Sequence, residues 1–61
     1  MAYVIEFYRD DRRMGTKPWP GDLAEAKSYA INAMSIHQAT HVAVIACVSL
    51  RPRLDIVVAW W

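Results

Sequence analysis

The side chains able to do chemistry in this chain are few, and their spacing decides what they can attempt. His37 and His41 stand four apart, the interval that on one continuous helix aims two imidazoles at a zinc ion. Thr40, His41 and Val42 begin a β-branched run instead, so the helix is expected to stop between the two imidazoles, and no third ligand is spaced nearby. No metal site is expected. Cys47 and His41 fall on the same face of one strand and invite a thiol–imidazole pair. Six residues of extended chain separate them by about 20 Å, beyond hydrogen-bonding reach within one subunit. Cys47 therefore reads as a small buried hydrophobe. Tyr29, Met34, Trp60 and Trp61 have the composition of a ligand box, but aromatics and methionine serve core and interface packing as well, and packing is the simpler account. No catalytic residue and no cofactor is assigned.

The basic residues offer a second kind of chemistry. Arg9, Arg12, Arg13, Lys17, Arg51 and Arg53, six of the seven Lys and Arg, would gather at one pole if the end of the first strand, the start of the helix and the last hairpin lie together. Trp19 and the helix N-terminal amides would be neighbours, a set suited to phosphate, carboxylate or a stacked base. Asp10, Asp11, Asp22 and Asp55 occupy the same segments and largely neutralise them, so a solvated mixed-sign rim competes with an anion or nucleic-acid site. The net charge of +1 and pI near 7.9 give no global case for nucleic acid or anionic membrane.

These groups must be positioned by a single domain of 61 residues, close to the lower limit for unaided folding. Staples are the usual remedy at this size. One cysteine excludes an internal disulfide, whereas the 56% apolar content favours association. Residues 28–50 contain no Asp, Glu, Lys or Arg, although 21% of the chain is charged and several would be expected there. The run spans most of a helix and then a strand, so much of that surface is expected to face another copy of the chain. The start of the chain lacks a secretory pattern and the apolar runs are too short to cross a bilayer. A cytoplasmic, reducing location fits the lone thiol.

The pattern predicts strands at 3–8, 41–50 and 54–60 and a helix at 23–38, with 9–21 a loop broken by Gly15, Pro18, Pro20 and Gly21. Asp22 is the expected N-cap, with Glu25 as its capping-box partner. Leu23, Ala26, Ala30, Ala33, Met34 and His37 form the buried helical stripe; Ile31 and Ile36 widen the apolar sector beyond it. The expected class is α+β, a three-stranded β-α-β-β sheet with the helix on one face and a right-handed crossover between the first two strands. The third strand can lie between the others or outside them, and its apolar run favours the centre. Arg51, Pro52 and Arg53 should form a hairpin loop longer than two residues.

Period-two alternation assigns Tyr3, Ile5, Phe7, Val42, Val44, Ala46, Val48, Leu50, Leu54, Ile56, Val58 and Trp60 to the face under the helix. Val4, Glu6, Tyr8, His41, Ala43, Ile45, Cys47, Ser49, Asp55, Val57, Ala59 and Trp61 fall on the other face, and Val4, Tyr8, Ala43, Ile45, Cys47, Val57, Ala59 and Trp61 are its candidate interface residues. That second set is too apolar for open water and too polar for a monomer core, which is the composition of a homo-oligomer interface.

The segments Tyr3-Val4-Ile5-Glu6-Phe7-Tyr8-Arg9-Asp10 and Gly21-Asp22-Leu23-Ala24-Glu25-Ala26-Lys27, followed by a valine-rich strand, resemble a type of small uncharacterised bacterial protein. Its marks are an aromatic strand, an Arg-Asp turn, a capped helix start and a terminal hairpin. Asp11 stands at that type's usual turn glycine and Pro52 where Asp-Gly is commoner. The resemblance covers most of the chain and implies no known activity. Length and β-α-β order are also similar to small oligomeric tautomerase subunits, but removal of Met1 would expose Ala2 rather than the proline their chemistry uses. The sequence thus points to a homo-oligomer, most simply a dimer, with an interaction or scaffolding role and no enzymatic one. The alternative is a nucleic-acid or anion-binding module.

Overall fold

The computed structural model describes residues 2–61. The chain runs β1 (Ala2–Arg9), β2 (Arg12–Trp19), α1 (Leu23–Ile36), β3 (His41–Leu50) and β4 (Arg53–Trp60). The α+β class is as expected, but the sheet has four strands in the order β2-β1-β3-β4, every neighbouring pair antiparallel.

The extra strand is β2, in the segment expected to be a loop. Gly15 and Pro18 weaken a central strand but are tolerated at an edge, where one side of the backbone needs no partner. Asp10 and Asp11 form the two-residue turn from β1, with Asp10 at φ 56, a left-handed conformation aspartate enters more readily than most residues. This reversal changes the topology. The chain enters α1 heading the other way, so β1 and β3 pair antiparallel and the expected parallel crossover is replaced by an antiparallel connection. β4 lies outside β3 as an edge strand, not in the centre. Its turn from β3 is also shorter than expected: Arg51 and Pro52 alone form it, joined by a cis peptide, and Leu50 pairs with Arg53.

Asp22 caps α1 as anticipated, its Oδ1 accepting from the Glu25 N–H at 2.8 Å. The Glu25 carboxylate does not return the bond and sits beside Gly21. The helix ends at Ile36, earlier than residue 38. Gln38 takes φ 56 there, and its N–H and that of Ala39 bond back to Ser35 O and Met34 O, a Schellman closure with glutamine in the usual glycine place. Arg9 holds this end, donating from Nε to Gln38 O at 3.1 Å. Thr40 joins the same corner, accepting from the Asp10 N–H through Oγ1 and donating its own N–H to Tyr8 O.

Ala26, Ala30 and Ala33 are the buried face of α1, set against Ile5, Phe7, Val42 and Val44. Three small side chains in register let the helix lie low over β1 and β3. Tyr3, Trp19, Leu23, Tyr29 and Met34 close the margins of this core. No described helix is long and apolar enough to cross a membrane.

Candidate functional site

Each strand pair that slips register changes which residues share a face. Val58 is an extra residue in β4, because Val44 pairs with Ala59 while Ile45 pairs with Val57. Beyond this bulge the alternation inverts. Ala59 and Trp61, expected on the outer face, pack against the core beneath the helix side. Trp61 is fixed there by two backbone hydrogen bonds with Val42. Trp60, expected inside, stands outside, stacked on His41 with ring centroids 5.5 Å apart and 5.4 Å from Tyr8. Met14 in β2 and Val48 in β3 are the other extra residues.

The remaining residues expected outside do lie there, since Val4 pairs with Ile45 and Tyr8 with His41, except Ser49, which the Val48 bulge pairs with Leu54 on the inner face while Leu50 turns outward opposite Arg53. Val4, Tyr8, Ile45 and Cys47 are half-buried, and Ala43 is buried among its larger neighbours. Cys47 is thus less enclosed than a core residue; its Sγ lies 3.5 Å from Ser49 O. The outer face divides in two. On the β1 and β2 side, Glu6 accepts from the Tyr8 hydroxyl at 2.6 Å and from Arg13 at 3.3 Å. The Tyr8 phenol is held above its ordinary pKa, first by that hydrogen bond to Glu6, then by partial burial and by the Glu6 charge. On the β3 and β4 side the middle of the face is apolar, with Ala43, Ile45, Val57 and Trp60, between His41 at one end and the Asp55–Arg53 pair at the other.

The two edges of the sheet differ in the same sense. β2 presents Arg12, Arg13, Lys17 and Pro18, residues that discourage strand addition. β4 has its charges at one end, where Arg53 and Asp55 pair at 3.1 Å, and is uncharged from Ile56 onward. Ile56, Val57 and Trp60 are 51%, 57% and 54% exposed, with Leu50 and Leu54 beside them. The total accessible area, 4281 Å², is close to the roughly 4,000 Å² that size scaling gives for a monomer of this mass. The amount of surface is ordinary; what is unusual is how much of it is aliphatic and aromatic along one edge.

The basic pole does not assemble. Pairing of Tyr8 with His41 and of Leu50 with Arg53 sets Arg9, Arg12 and Arg13 at the helix C-terminal end and Arg51 and Arg53 at the far end of β3. Arg9 is engaged with Gln38, Arg13 with Glu6 and Arg53 with Asp55. Lys17 stays exposed but lies on the helix side of the sheet, opposite Ile5, its Nζ 5.4 Å from the Tyr29 ring centroid. Trp19 packs on Tyr29 at 4.9 Å, with its Nε1 buried and without a hydrogen-bond partner among the described residues, so its ring is part of the wall of the core and not a platform for a base. His37 rests on Phe7 at 4.9 Å and His41 on Trp60. No group of three or more metal-ligating side chains gathers among the described residues.

Sequence reasoning missed Trp60 as an outer-face residue and Lys17 as one on the helix side. A bulge leaves no composition signal, and Lys17 lies on the helix side only because β2 is a strand. No known protein family, curated protein or solved structure matches the chain.

Proposed function

We propose that this protein is a self-associating interaction or scaffolding module that docks through β4 onto the same strand of a second copy. The observation that carries the reading is the contrast between a guarded β2 edge and an uncharged, half-exposed β4 edge. Antiparallel addition of β4 to its twin would satisfy the free backbone groups of both strands and cover Ile56, Val57 and Trp60. Because the contact is the same patch on both copies and the other edge is protected, growth ends at two. The apolar half of the outer face adjoins β4, so it extends the contact area. A cytoplasmic setting suits this reading, since Cys47 has no cysteine partner in its own chain. The reading gives the protein no catalytic residue.

Light scattering coupled to size exclusion tests it over roughly 1–100 μM, where a moderate interface would be populated. A dimer is expected, with β4 amides protected from hydrogen exchange. A monomer throughout that range overturns the proposal.

A further inference from the structure

We infer that the cavity between the inner face of β2 and α1 is a binding site for a small aromatic carboxylate. Its volume is about 350 Å³, inside the range of roughly 300–1,000 Å³ typical of small-molecule sites. The cavity follows from two features of the fold. The alanine stripe seats α1 over β1 and β3, leaving β2 at the side. Gly15, paired with Phe7 on the inner face, then contributes no side chain, and a Cβ built there would meet nothing within 4 Å.

What lines the space is specific in chemistry. Phe7, Tyr29 and His37 supply three flat rings, with Phe7 and His37 fixed against each other at 4.9 Å and an interplanar angle of 50°. A planar apolar body is the shape such walls accept. Lys17 brings the charge: it lines the cavity, has its ammonium over the Tyr29 ring, and makes no ion pair among the described residues. Among the described residues no Asp or Glu lines the cavity, so an entering anion meets no like charge there. The carboxylate would pair with Lys17, the His37 imidazole offering a second N–H, while the ring lies along Phe7 and Tyr29. The site is built from β2 and α1, away from β4, and stands independently of the assembly reading.

Benzoate is the probe, followed by amide chemical shifts of the full chain, with acetate and benzyl alcohol as controls. Saturable shifts are expected at Gly15, Lys17, Tyr29 and His37. Affinity should be about tenfold weaker for either control and for Lys17→Met, the scale of one charge-assisted contact or one buried ring. Gly15→Leu should abolish binding by filling the space. Thermal melts check that both variants fold; if Gly15→Leu does not, Lys17→Met and the two controls still decide. Absence of saturation by about 20 mM benzoate, a level far above useful affinity, overturns the inference. So does undiminished binding by Lys17→Met, acetate binding as tightly as benzoate, or shifts confined to other parts of the sheet.

Discussion

Two glycines illustrate how much the surroundings of one residue decide. Gly15 sits in an ordinary strand conformation beside open space, so its flexibility only costs the fold. Gly15→Ala should raise stability by about 0.5–1 kcal/mol in urea melts. At Gly21 the same change would bring a methyl group within 2.7 Å of Glu25 Oε2 and 2.9 Å of Trp19 Nε1. Glu25 can swing away but the Trp19 ring is held by Tyr29, so Gly21→Ala should cost about 1 kcal/mol in the same assay. Tyr8 gives a pH test. Its phenol is raised above 10.0 by the Glu6 carboxylate. A raised folded-state pKa means that the contribution is complete below the unfolded value and is lost as pH climbs through the folded one. Ultraviolet titration of wild type against Tyr8→Phe should therefore show a phenol with a midpoint above 10.0, and the stability difference between the two should vanish only above that midpoint.

At the level of elements, the alanine stripe sets the spacing between helix and sheet. Ala30 is wholly buried, and Ala30→Leu should destabilise by about 1–3 kcal/mol through overpacking, measurable as a lowered Tm. The helix was legible because Asp22, the alanine spacing and the β-branched run after Thr40 each act within a few residues. β3 was legible for the same reason. β2 was not: Gly15 and Pro18 carry a loop signal, and only pairing with β1, a non-local contact, turns that segment into a strand. The Val58 bulge is invisible in composition, because Ile56-Val57-Val58-Ala59-Trp60-Trp61 alternates equally well in either phase. Strand order then follows from β2, since one missed reversal exchanges parallel for antiparallel and moves two arginines to the opposite end.

For the whole molecule, the exposed β4 separates association from folding. Val57 is 57% exposed in the single chain, so Val57→Asp should leave the monomer folded while lowering dimer affinity by at least about 100-fold, the consequence of burying an unpaired carboxylate. Ile45→Asp lies in a central strand and is half-buried, so it should lower Tm as well as assembly. Light scattering and circular dichroism on the two variants distinguish these outcomes. The outer-face set inferred from alternation was right for β1 and for β3 as far as Cys47, where the pairing of those two strands is regular, and wrong beyond the bulges at Val48 and Val58.

Thr40 touches both the reversal joining β1 to β2 and the segment leading out of α1, while Arg9 reaches Gln38 across the same corner. Fluctuations on the two sides of that corner are thereby tied: unzipping the guarded edge from its turn loosens the end of the helix, and a frayed helix end frees the turn. Deuterium uptake at Asp10 and at Ala39 should rise in step when Thr40 is replaced by valine.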